Sequence, residues 1–148
     1  MKIRTSIAAA GAAVLLGGTT ALALPAMAST HSAMHTLKFT SVTAKSVSFT
    51  QTTEIPQDTD LNSAGKTIGF DDVYLTFTGR TAGKGNVAVA VKGGFLYGTL
   101  TVNFKTGAIS NGKVTGGTGA FKGASGTITA KNLNAKGTRT AVTVKYHV

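Results

Sequence analysis

The five acidic residues of this 148-residue chain are Glu54, Asp58, Asp60, Asp71 and Asp72, all within one short stretch. The same chain carries 15 lysines and arginines, for a formal net charge of +10. Acids gathered so tightly in a basic protein invite a chemical reading. A carboxyl group in a partly dry site has a raised pKa and exchanges protons near neutral pH. Glu54, Asp58 and Asp60 are the candidates for such a general acid or base. The plainer reading is that they are solvated acids balancing nearby lysines. They sit in segment 51–66, QTTEIPQDTDLNSAGK, which shows no clean alternation and therefore predicts a long loop. Loops held by a rigid scaffold often carry function.

Other spacings suggest chemistry but do not meet its requirements. Asp58-Thr59-Asp60-Leu61-Asn62 opens like a calcium loop. Such a loop needs Gly at its sixth position and Glu at its twelfth. Ser63 and Gly69 stand there instead. His31 and His35 are four apart, as a helical metal site requires, but no acidic third ligand accompanies them. Gly83-Lys84-Gly85-Asn86 lacks the G-x4-G-K-[ST] spacing of a phosphate loop. It runs directly into Val87, Val89 and Val91, a strand pattern. The chain has no cysteine, which excludes disulfides, thiolate metal sites and thiol nucleophiles. We therefore expect neither metal nor cofactor.

The elements that must position the acids are strands. Val73, Leu75 and Phe77 alternate with Tyr74, Thr76 and Thr78. Leu96, Leu100, Val102 and Phe104 share one parity, and Tyr97, Thr99, Thr101 and Asn103 the other. Similar runs occur around residues 37–42, 47–49, 87–91, 127–131 and 142–146. Period two with Val, Thr and Phe marks half-buried antiparallel strands. Glycine-rich turn signals separate the runs, and seven to nine strands are expected. Closing such a sheet into a barrel removes its exposed edges. Eight strands leave an interior that side chains fill, or that holds one small ligand. Tyr74 and Tyr97 are then ligand-binding candidates if their parity lines the lumen, and surface or oligomer contacts if it faces out.

The first thirty residues read as an address. Lys2 and Arg4 precede an uncharged stretch from Ile7 to Gly18, and Ala26-Met27-Ala28 fits a secretory cleavage site. The stretch is shorter than the roughly 20 residues of a membrane span, so no membrane span is expected. Cleavage after Ala28 makes residues 1–28 a signal peptide, residues 29–36 a flexible segment and residues 37–148 the barrel domain. The mature protein is then secreted and extracellular. Losing Lys2 and Arg4 reduces its cations from 15 to 13 against 5 acids. Those cations are spread singly rather than clustered, which argues against a nucleic-acid partner. Scattered surface lysines also keep sheets from pairing edge to edge.

The segment Gly116-Gly117-Thr118-Gly119-Ala120-Phe121-Lys122-Gly123-Ala124-Ser125-Gly126 resembles a signature of the allene oxide cyclase and dirigent barrel superfamily, G-G-[TS]-G-x-[FY]-x-x-A-x-G. Every fixed position of that signature is present, with Phe121 as the expected apolar plug of the turn. The resemblance implies an all-β fold, an eight-stranded antiparallel barrel with a ligand cavity at one mouth, often assembled into oligomers. It also implies a cofactor-free isomerase or cyclase, or a protein that steers phenol coupling. The plant cyclases carry Glu-x-Asn after an aromatic residue on an early strand; here Phe49-Thr50-Gln51-Thr52 lacks both groups. The expectation is a secreted barrel that binds a small apolar or phenolic molecule, acts on it by positioning and proton transfer, and forms a dimer or trimer. A non-catalytic envelope or interaction protein is the alternative. It predicts a lumen packed solid and no buried acid. A polyanion-binding domain is a third reading.

Overall fold

The computed structural model describes residues 32–148. The signal segment, its cut after Ala28 and His31 lie outside the described residues. Eight strands succeed one another in sequence: β1 His35–Thr50, β2 Thr53–Leu61, β3 Thr67–Phe77, β4 Ala82–Val91, β5 Gly94–Asn103, β6 Ala108–Gly117, β7 Ser125–Asn132 and β8 Arg139–His147. Each pairs antiparallel with the next, and β1 also pairs with β8, so the sheet closes into a barrel. Closure leaves no free edge for another chain to extend. The fold class expected from the strand pattern is the one observed.

The first two expected strands are one. Leu37–Val42 and the segment around Val47 both belong to β1, which bends at a bulge between Thr43 and Lys45. A bulge inserts one unpaired residue and shifts the side-chain parity beyond it. Phe39, Ser41 and Thr43 therefore face inward before the bulge, and Ser46 after it. β1 begins at His35, where His35 pairs with Tyr146 and Thr36 with Lys145. Two residues of the expected flexible segment are thus part of the sheet. The His35 ring stacks on Tyr146 at 5.4 Å, away from any metal geometry.

The expected loop at 51–66 is largely a strand. Residues 53–61 form β2, paired with β1 on one side and β3 on the other. The remainder makes two turns, Gln51-Thr52 before β2 and Asn62–Lys66 after it, where Asn62 Oδ1 accepts from the amides of Ala64 and Lys66. Alternation is hidden in β2 because its polarity is inverted. Glu54, Pro56, Asp58 and Asp60 share the inward parity, and Ile55, Gln57 and Thr59 the outward one. A pattern rule that expects apolar residues inside has nothing to register.

One end of the barrel is plugged. The connection from β6 to β7 folds into a single 3-10 turn, Gly119–Phe121, that lies across the barrel end. Thr118 and Ala120 donate backbone hydrogen bonds to the carbonyls of Phe95 and Gly93. Phe121 is buried there, edge-on to Tyr146 at 5.6 Å. A Cβ at Gly117 would stand 2.5 Å from the carbonyl oxygens of both Phe121 and Phe95. Gly119 adopts φ +58 and faces the Gly93 carbonyl just as closely. Two of the signature glycines are thus required by close approach and by positive φ. Leu96, Val114 and Ala124 belong with Phe121 to the buried core at that end.

Candidate active site

Above that core the lumen is open. A cavity of about 340 Å³ runs from the floor formed by Phe39, Val89 and Val144 to a mouth at the opposite end. The mouth is bordered by Phe104, Glu54 and the β7–β8 connection that carries Lys136. Phe104 stands edge-on to Phe77 at 5.1 Å beside it. The volume lies at the lower end of the range for small-molecule sites. Its walls are unequal. Strands β4–β8 contribute mostly hydrocarbon, such as Val87, Leu100, Ile109 and Ile128. Strands β1–β3 contribute a polar strip of Ser41, Thr43, Ser46, Glu54 and Asp71.

Register builds the strip. Ser41 pairs with Asp60 and Thr43 with Asp58 across β1 and β2. Asp58 in turn pairs with Asp71 across β2 and β3. All five side chains share the inward parity, so three carboxyls and two hydroxyls meet on neighbouring strands. Asp60 has no exposed surface and Asp71 is 5% exposed. Asp71 lines the cavity; Asp60 lies behind it, opposite Gly69, where no side chain competes for space.

Burial dictates the protonation of this group. Asp58 accepts a hydrogen bond from the Ser41 hydroxyl at 2.7 Å. Its pKa is nevertheless raised, because desolvation outweighs the help of Ser41 and Thr43. No hydroxyl, amide or cation reaches either carboxyl oxygen of Asp60. Its bonding partner is the Asp71 carboxyl, and two carboxyls can bond only if one of them holds a proton. Desolvation, then that bond and the charges of Asp71 and Asp58, push Asp60 up to about 9. Desolvation also raises Asp71, to about 6, while the bond donated by Asp60 opposes the rise. At neutral pH the pair shares one proton, and Asp71 is the member of the pair that lines the lumen.

The sequence candidates separate cleanly. Asp58 and Asp60 belong to the cluster, together with Asp71, which was not among them. Glu54 lies nearer the mouth, its carboxylate held by the Ser46 hydroxyl. Asp72 points outward and is exposed. Tyr74 and Tyr97 are on the outer surface, 45% and 41% exposed. A ligand in the lumen does not touch them, because their parity is opposite to that of Val73, Leu75 and Leu96. They share that outer face with Phe70 and Phe95, and the Phe95 and Tyr97 rings stack at 6.3 Å. The signal for Asp71 was present in sequence: it shares the parity of Val73 and Leu75, the apolar face of β3. His147 bonds to Ser125 Oγ at 2.8 Å, away from the lumen. Among the described residues no helix is long and apolar enough to cross a membrane.

No protein-family model and no curated protein matches this chain. A solved structure described as a pyocyanin demethylase is similar to it, with a TM-score of 0.60. The match covers 76% of this chain and 99% of that one, at 17% identity. The likeness is one of fold. At that identity it assigns no residue a role, and the site rests on its own geometry.

Proposed function

We propose that the protein is a secreted barrel that binds a small apolar or phenolic molecule in its lumen and transfers a proton to and from it without a cofactor. The observation that carries this reading is an open apolar cavity with Asp71, backed by the fully buried Asp60, in its wall. A packed lumen with no buried acid would have favoured the non-catalytic alternative. The pyocyanin demethylase supports the reading from outside, as a barrel of this fold named for an activity on a small molecule. The likeness of segment 116–126 to the allene oxide cyclase and dirigent signature supports it in the same sense.

The chemistry this arrangement suits is isomerisation or cyclisation. Ionised Asp71 takes a proton from a C–H or O–H of the bound molecule. The electron pair left behind shifts within the ligand, and the proton returns to a different atom. Reactant and product have the same composition, so no oxidant or co-reactant is needed. The apolar walls exclude water and keep the base strong. The exposed face of Phe70, Tyr74, Phe95 and Tyr97 is the surface a dimer or trimer would bury, since apolar patches of several hundred Å² mark interaction sites.

Two measurements test the reading. Native mass spectrometry of the mature protein from culture medium reports its N-terminus, subunit count and any retained small molecule. Titration with 2-naphthol reports lumenal binding directly. Ala130 lines the cavity, and Ala130→Phe is expected to abolish naphthol binding while the barrel still melts cooperatively. No retained molecule together with no naphthol binding would overturn the proposal. For the proton transfer, Asp71→Asn is expected to stop solvent deuterium from entering an identified ligand. Undiminished exchange in that variant would remove Asp71 from the chemistry.

A further inference from the structure

The charge of the lumen is opposite to that of the molecule. The chain has 15 basic and 5 acidic residues, so a random cavity in it would be lined by lysine. Instead four of the five acids take the inward parity of β2 and β3. Glu54 and Asp71 line the cavity, and Asp58 and Asp60 stand in the wall beside them. Among the described residues the cavity has one basic side chain, Lys136, which is exposed on the β7–β8 connection at the mouth. The groups that surround Asp58, Asp60 and Asp71 are one another, Asp72 and the hydroxyls of Ser41 and Thr43. Among the described residues no lysine or arginine neutralises them.

Buried acids without a counter-ion are costly to a fold, and packing does not require these, since the facing wall is hydrocarbon. Sharing one proton between Asp60 and Asp71 removes one charge and leaves another. The remaining charge belongs to the pair, and Asp71 is the member of it that a ligand can reach. One oxygen of Asp58 receives no donor from the protein, and Asp60 has no partner besides the Asp71 carboxyl. The polar strip is thus rich in acceptors and poor in donors: three carboxyl groups meet two hydroxyls. A ligand that brings positive charge and N–H donors on one edge, and hydrocarbon on the other, completes it.

We propose that the lumen selects a small aromatic molecule carrying a basic nitrogen, an amine or N-heterocycle, whose protonated N–H binds Asp71. This rests on the reading of the lumen as a small-molecule site and narrows its substrate class. The apolar body lies against Val87, Leu100 and Ile128, and the nitrogen faces β1–β3. A carboxylate ligand is disfavoured at depth, because it would meet Asp71 in a medium that screens poorly. Lys136 does not reverse this, since a solvated lysine at the mouth attracts an anion only weakly.

The test uses three molecules of one shape: 2-naphthylmethylamine, 2-naphthol and 2-naphthoate, titrated by calorimetry against the mature protein at neutral pH and physiological salt. The protein's overall positive charge favours naphthoate non-specifically, so a preference for the amine runs against the background. The expected order is amine, then naphthol, then naphthoate, with the amine tighter than naphthol by about tenfold or more, as a hydrogen-bonded charge pair in a dry site commands. In Asp71→Asn the amine's advantage over naphthol is expected to fall to about twofold or less, with cooperative thermal melting as the sign of an intact barrel. The wild-type ranking is decisive without the variant. Equal binding of amine and naphthol, or tightest binding of naphthoate, overturns the charge selection and leaves the lumenal site standing. No binding of any of the three overturns both.

Discussion

Replacing Asp60 with asparagine should stabilise the barrel at alkaline pH and destabilise it in acid. In an unfolded chain the Asp60 carboxyl loses its proton near 3.8; in the barrel it keeps it to about 9. Between those values the native state holds a proton that the unfolded state has released. Stability therefore falls as the pH rises through that window, and the loss is complete only above the folded pKa. At pH 7 the gap is about three pH units at roughly 1.4 kcal/mol each, on the order of 4 kcal/mol. The asparagine side chain does not titrate. One amide N–H replaces the carboxyl proton in the bond to Asp71, but the second is a buried donor that the carboxyl does not have, at about 1–3 kcal/mol. The net expectation is a gain of about 1–3 kcal/mol at pH 7–8 and a loss of similar size near pH 4. At about 4 °C per kcal/mol for a chain this long, Tm should rise by roughly 4–12 °C at the higher pH. Thermal melts monitored by circular dichroism from pH 4 to pH 9 measure this. Wild-type Tm should decline across the range. The variant should decline only to about pH 6, where Asp71 finishes titrating. A constant offset between the two proteins at every pH would refute the proton-sharing pair.

Other parts of the barrel give further expected outcomes. Ser41→Ala removes the hydroxyl that donates to Asp58. It should cost about 1–3 kcal/mol in denaturant melts at pH 8, and less in acid where Asp58 is protonated. Gly98→Ala drives a Cβ into Ile128 Cδ1 and places it 2.7 Å from the Lys113 carbonyl oxygen. Backbone cannot yield as a side-chain tip can, so a loss of about 1–3 kcal/mol is expected in the same assay. Leu96 is 2% exposed in the solid core, and Leu96→Ala should cost about 2–5 kcal/mol, with no gain in naphthol affinity. Phe95→Glu, on the outer aromatic face, should shift sedimentation toward monomer and leave naphthol binding unchanged.

Several features of this molecule were determined by the sequence alone, because they depend on local rules. Period-two runs of Val, Thr and Phe specify strands whatever surrounds them. Glycine clusters specify turns, and the absence of helical periodicity leaves a closed sheet as the way to hide edges. Segment 116–126 marked its own turn through its glycines, although the carbonyls that Gly117 and Gly119 accommodate include those of Phe95 and Gly93 from a distant connection. The clustering of acids between residues 54 and 72 was also visible along the chain. The tertiary structure decided what those acids are. Parity became inward or outward only on closure, which turned Tyr74 and Tyr97 to solvent and Asp71 to the lumen. The bulge in β1 and the inverted polarity of β2 made a strand look like a loop, because amphipathic patterns presuppose an apolar interior. Asp60 and Asp71 are 11 positions apart and become diagonal neighbours on two strands, Asp60 opposite Gly69 and Asp71 opposite Asp58. The shared proton arises only when register places both carboxyls side by side and the barrel removes their water.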